Sequence, residues 1–353
     1  MSSERQTLFW VLGMAAFVSV LYALSAMLLP FVAGLAIAYF LDPVADKLEE
    51  WGASRALATT VIIAAFFVTV IGILILLFPL LQAQIASLAA RVPGLIESIR
   101  AYAQPLLERI QADMPADAVA QIKGAVGDYA GTAIKWLGGV LGGIWKGGIA
   151  FFNVLSLIII TPVVAFYLLR DWDLIVERID GYLPRAGRPT ILEQCRAIDD
   201  TIAGFVRGQA SVCLVLIIWY GGALTVTGLE SGLLVGLGAG AISFIPYLGA
   251  AIGLVVGVGI ALAQFSDLAP VGVVAFIFII GQTAESYVLT PRLVGDRIGL
   301  HPVWIIFALL AGGVLMGFTG VLLAVPVAAV IGVLIRFGLG RYISSPLYHG
   351  GKT

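Results

Sequence analysis

Seven blocks of apolar sequence decide what this chain can fold into: 8–41, 56–81, 149–169, 208–228, 231–263, 269–290 and 303–337, together 192 of 353 residues. An α-helix rises ~1.5 Å per residue, so about 20 apolar residues cross the ~30 Å hydrocarbon core of a bilayer. Four blocks run 21 to 26 residues, enough for one crossing each. The other three run 33 to 35 residues, too long for one crossing and short for two. Each of these carries an interruption: Pro30, then Phe244-Ile245-Pro246-Tyr247-Leu248-Gly249, then Gly317-Phe318-Thr319-Gly320. Proline removes a backbone donor and glycine relaxes the helix, so each long block is either a kinked helix or a hairpin. The expected fold class is an all-α polytopic membrane protein of about eight helical segments, including interrupted helices or re-entrant hairpins.

Composition closes the other routes. The chain is 60% hydrophobic and 12% charged, where soluble domains run about 45–50% and about 25%. A net charge of −1 leaves no basic field for nucleic acid. Cys195 and Cys213 have no CxxC spacing, and His301 and His349 stand apart from other ligand types, so the sequence points to no metal centre. It contains no HExxH, GxSxG or Walker A pattern. No enzyme activity and no cofactor is expected, which leaves secondary transport or facilitated flux. The first apolar run begins near Leu8 behind Arg5 alone and lasts about 20 residues. It reads as a membrane span, because the core of a signal peptide is ~7–15 residues long.

Charge placement orients the spans. If the long blocks are hairpins, fourteen of the twenty Lys and Arg residues share one side with both termini, Arg292 and Arg297 among them. The remaining six all fall in the long segment 82–148, which counts little toward the positive-inside bias. Both termini are therefore expected in the cytoplasm of a multi-pass protein. Three regions follow: N-terminal membrane helices over 1–81, an extracytoplasmic or interfacial segment over 82–148, and a membrane core over 149–353. The segment 82–148 carries apolar residues at helical spacing (Ile85, Leu88, Val92, Leu95, Ile99), which predicts amphipathic helices. A cytoplasmic connection over 170–207 interrupts the core with six arginines and seven acids.

Glu285 is the one acid well inside an apolar block. An ionised, unpaired carboxylate at that depth costs several kcal/mol, so it is protonated, paired or wet. One reading makes it a coupling carboxylate, with Gln282, Ser286 and Tyr287 as substrate donors and acceptors; helical spacing sets Gln282, Glu285 and Ser286 on one face. The other makes it half of a buried ion pair with Arg292 or Arg297. Ser243, Pro246 and Tyr247 form a second candidate, because a broken helix at mid-membrane frees backbone groups that transporters use at substrate sites. The alternative is a hairpin tip that only fixes topology. Gly249, Gly317, Gly320 and Pro326 are candidate hinges. Arg170, Asp171, Arg207, Gln209 and Arg292 form a rim at the span ends, read as anchoring or gating. Glycines spaced by four (Gly232, Gly236, Gly240; Gly249, Gly253, Gly257; Gly313, Gly317) predict close helix packing, above all between the arms of a hairpin.

Several stretches resemble the autoinducer-2 exporter family: 161–171 (Thr161-Pro162 through Leu169-Arg170-Asp171), Arg207-Gly208-Gln209, 244–249, 285–295 (Glu285-Ser286-Tyr287 through Leu293-Val294-Gly295) and Gly299-Leu300-His301-Pro302. The resemblance spans essentially the whole chain. It implies a bacterial inner-membrane transporter of about eight helical segments, homo-oligomeric and pentameric, whose mobile core slides against a scaffold. It implies either export of a small polar solute such as autoinducer-2, or exchange of sodium or lithium for protons. A third reading, from the residues alone, is a non-transporting scaffold or assembly factor acting through 82–148.

Overall fold

Pro30 sets where the first described helix begins. Its fixed φ suits the first turn, where its missing N–H is not needed, and α1 (Leu29–Glu50) starts there. Within the computed structural model the described residues are 27–113, 149–185, 187–295, 299–346 and 348–349, with isolated positions between 12 and 24. Side-chain surroundings are described except over 88–113 and 149–156. Residues 114–148, half of the segment expected to be amphipathic, lie outside this range.

After α1 come α2 (Arg55–Asp113), α3 (Ile149–Gly181), α4 (Arg188–Val226), α5 (Gly232–Ile242), α6 (Leu248–Gln264), α7 (Leu268–Ala284), which continues as a π-helical segment over Glu285–Val294, and α8 (Pro302–Ile343). Regular structure among the described residues is entirely helical. Among the described residues, five stretches are long and apolar enough to cross a membrane: α1, Arg55–Ser87 of α2, α4, Leu268–Val294 and α8. The boundary expected at residue 81 falls inside α2, whose 59 residues extend about 88 Å at the standard rise. The charged stretch 170–207 is mostly helical. Its halves are the end of α3 and the start of α4, turned at Tyr182–Gly187.

The chain divides into two compact units. The first comprises Met1–Val68, Ser156–Ala210 and Thr290–Thr353. There α1 buries Pro30, Gly34, Ala38, Leu41 and Ala45 along one stripe, and Ala38, Leu41 and Ala45 form a core with Ile62, Ile63, Ala165 and Leu169. A side chain at Gly34 would collide with Val164. In the same unit α8 is a hairpin. Met316 (φ −134°) and Gly317 (φ 59°, ψ −139°) leave helical geometry, and the Gly312 and Gly320 backbones then meet.

The second unit comprises Thr69–Leu155 and Ser211–Leu289. Here α5 and α6 form a hairpin with its turn at Ser243–Tyr247. At 11 residues, α5 is about 16 Å long and falls short of a crossing. The glycine stripes do pack closely, but not all as expected. Gly232, Gly236 and Gly240 face the α4 backbone at Leu224, Gly221 and Ile217 rather than the other hairpin arm. The cause is steric: α4 offers Gly221 where α5 offers Gly236, so two backbones without Cβ atoms meet. Gly249 does pack within the hairpin, against Ala239 and Ser243, while Gly253 and Gly257 receive the Phe278 ring from α7. Gln264 closes the open end, donating to Gly228 O at 2.7 Å and accepting from Glu230 N at 3.0 Å.

Candidate functional site

Among the described residues the one buried acid is Glu285, 4% exposed, where α7 passes into the π-helical segment. Its Oε2 is buried without a hydrogen-bond partner. One turn earlier, Gly281 leaves room for a second buried group: the Tyr220 ring and hydroxyl fill the space a Cβ there would need. Tyr220 is fully buried on α4, its ring centroid 4.8 Å from that of Phe278, and its hydroxyl also has no partner. Helical side chains lean toward the N-terminus, so the Glu285 carboxyl is directed back toward the turn that holds the Tyr220 hydroxyl. Each unsatisfied buried polar group costs about 1–3 kcal/mol. Two such groups, Glu285 Oε2 and the Tyr220 hydroxyl beside Gly281, lie about one helical turn apart along α7.

The three residues expected beside Glu285 lie elsewhere. Gln282 Nε2 donates to Ser286 Oγ at 3.1 Å on an exposed face, and Tyr287 is 80% exposed. The reason is angular. At about 100° per residue, Gln282 and Ser286 lie ~40° apart, as do Gly281 and Glu285. The boundary between exposed and buried faces falls between these pairs.

Around the α5–α6 turn the expected break is present. Ser243 is fully buried and donates to Ala239 O at 2.9 Å. Pro246 is half-buried, and Tyr247 is exposed with φ 68°. No non-glycine residue other than Tyr247 has positive φ among the described residues, and a bulky side chain held there marks a turn fixed by its surroundings. In the first unit, Gly317 is exposed at the α8 turn, Gly320 is buried against Gly312, and Pro326 sits half-buried inside the second arm.

The rim residues divide into two groups. Arg170 and Asp171 form a two-point pair at 2.7 and 2.8 Å, with Arg170 also over the Phe166 and Tyr167 rings at 5.2 and 5.1 Å. The guanidinium holds the Asp171 carboxyl below its ordinary value. Arg207 instead reaches α1, donating to Tyr39 O at 2.8 Å and Asp42 Oδ2 at 2.9 Å. Its neighbour Gly208 lies against the Leu293 and Val294 backbone, and Gln209 is buried at 3% exposure. Arg292 is exposed.

Sequence reasoning missed the rest of this network. Arg55 binds Asp42 (2.9 Å), Asp46 (2.6 Å) and Glu49 (2.9 Å) and donates to Leu169 O at 3.1 Å. Tyr39 donates to Asp199 at 2.7 Å and stacks edge-on against Trp172. Tyr39, Asp42, Trp172, Asp199 and Arg207 line a cavity of about 50 Å³. A signal did exist: Asp42, Asp46 and Glu49 recur at helical spacing beyond the first apolar block. Tyr220 carried a fainter one, as a hydroxyl within an apolar span.

Residues 11–340 match the family described as "AI-2E family transporter". Among relatives, "Putative transport protein YrrI" of Bacillus subtilis (strain 168) is 31% identical over 307 residues, covering 87% of this chain and 85% of its own length. "Putative permease PerM" of Escherichia coli (strain K12) is 25% identical over 344 residues, covering 95% and 94%. "Putative transport protein MT0215" of Mycobacterium tuberculosis (strain CDC 1551 / Oshkosh) is 26% identical over 352 residues, covering 95% and 91%.

Proposed function

This chain belongs to the AI-2E transporter family and is a multi-pass membrane transporter, and from that premise we propose that it is a proton-coupled secondary transporter exporting a small polar solute, with Glu285 as the coupling group. One observation carries the reading: the buried Glu285 Oε2 without a partner. A neutral carboxylic acid tolerates such a place, whereas the carboxylate needs water, a cation or a new position. Loading and unloading of its proton is thereby tied to a change of surroundings, which is what alternating access requires.

The two hairpins support the same reading. Both leave helical geometry, at Ser243–Tyr247 and at Met316–Gly317, and interrupted helices of this kind are where transporters meet a polar solute. Gly249, Gly317, Gly320 and Pro326 are proposed as the hinge positions. The orphaned carboxylate also favours a second reading, exchange of sodium or lithium for protons, since an acceptor oxygen suits a monovalent cation. The excess of Lys and Arg on one side supports cytoplasmic termini in a bacterial inner membrane. A homo-oligomeric assembly is part of the proposal.

Flux in proteoliposomes under an imposed pH gradient tests it. Wild-type vesicles should move autoinducer-2 or a monovalent cation in a pH-dependent way, and Glu285→Gln should abolish the pH dependence while folding is retained. Cation exchange without solute movement selects the second reading. Absence of flux under any gradient, or full coupling in Glu285→Gln, overturns both.

A further inference from the structure

The α8 hairpin forms a cavity of about 660 Å³ that Glu285 does not line. Its walls are Trp304, Phe307, Leu315, Leu323 and Ile331 with small residues between them. Of its lining residues, His301 and Arg336 are the ones with titratable side chains. They sit at the same end. Leu300 packs on Gly332, and Arg336 Nη1 donates to Gly299 O at 3.4 Å. The far end is the turn where Gly312 meets Gly320. The first arm, from Pro302 to Leu315, makes the slot about 21 Å long.

An occupant of this slot must be apolar along its length and anionic at one end. We propose that it holds an acyl chain of an anionic phospholipid whose phosphate is bound by Arg336 and His301. His301 Nδ1 accepts from Val303 N at 3.4 Å; in that tautomer Nε2 carries the proton and donates to a phosphate oxygen. The Arg336 guanidinium keeps further N–H groups for the same phosphate, and its planar fork matches phosphate geometry. The volume falls in the ~300–1,000 Å³ range of small-molecule sites. Basic pockets between membrane helices are recognised places for acidic headgroups, and the surrounding bilayer supplies the ligand. The assignment stands independently of the role given to Glu285.

Trp304 provides the readout. The full chain is reconstituted in phosphatidylcholine vesicles containing a minor fraction of acyl-brominated phosphatidylglycerol, and the Trp304 contribution is taken as wild type minus Trp304→Phe. The expected quenching exceeds that from the same fraction of brominated phosphatidylcholine by about fivefold, the preference one arginine confers near an anionic lipid. Arg336→Gln should reduce the preference to about unity, while Arg336→Lys and Arg341→Gln should keep most of it. Equal quenching by the two lipids overturns the headgroup assignment. Absence of Trp304 quenching by either lipid overturns the occupant, and means that a second copy of the chain or another segment covers the slot.

Discussion

Gly312 and Gly320 lie backbone against backbone across the α8 turn, so closely that a Cβ on either would overlap the carbonyl group of the other. Eight residues of unbroken helix would separate them by about 12 Å. Their approach defines a hairpin. The positive φ of Gly317 (59°) makes that turn accessible to glycine at little strain.

Gly320→Val should therefore destabilise the fold by about 2–3 kcal/mol, the cost of overpacking a site that can yield only by separating the two arms. Gly338→Ala, where nothing lies within 4 Å, should be neutral or stabilising by up to ~1 kcal/mol through helix propensity. Thermal unfolding in detergent, compared across wild type and both variants, checks the pair.

Tyr220→Phe removes a buried hydroxyl that has no partner. Its stability effect should be neutral to about 1 kcal/mol favourable, because only an unsatisfied group is lost. The pH dependence of transport should nonetheless shift, since the hydroxyl lies beside Gly281, one helical turn before Glu285. Gly281→Val should destabilise by about 2 kcal/mol or more by displacing the ring. Unfolding curves and flux against pH, measured on the same preparations, separate the two effects.

Block length and breakers made much of the fold legible. Membrane insertion depends on apolar length and on backbone satisfaction, both of which are local in sequence. Pro30, the 244–249 break and Gly317 each mark a real interruption. Glu285 was legible for the same reason, as an acid where none should be. Its partners were not. Tyr220 lies 65 positions away on another helix and reaches the turn before Glu285 only through tertiary packing beside Gly281, while Gln282 and Ser286 were assigned to its face by a spacing rule that does not say which side is buried. The glycine stripes announced close packing but not the partner, because Gly236 pairs with Gly221 by shape alone.

Asp42 receives both Arg55 and Arg207, at 2.9 Å each. Arg55 also serves Asp46 and Glu49, and its side chain is 18% exposed against 37% for Arg207. Arg55→Gln should thus cost about 2 kcal/mol and Arg207→Gln about 1 kcal/mol, values reduced from the fully buried case by solvent screening. In a double-mutant cycle with Asp42→Asn, both arginines should show positive coupling to Asp42, the Arg55 coupling being the larger. Equal losses in the two variants would mean that the carboxylates beyond Asp42 contribute nothing.

The α3–α4 corner should respond to acid in a defined direction. Arg188 pairs with Asp180 across the turn and holds its carboxyl below the ordinary 3.8. A carboxyl lowered in the folded state contributes fully above its unfolded value, and the contribution fades as the pH falls through the folded value. Hydrogen exchange at Leu183 and Gly187, whose amides donate to Asp180 O and Pro184 O, should stay constant from neutral pH down to about 4 after correction for intrinsic rates, then accelerate. Arg188→Gln should show the faster exchange already at neutral pH and lose most of the acid step. Retention of the full step in that variant would assign it to another carboxylate.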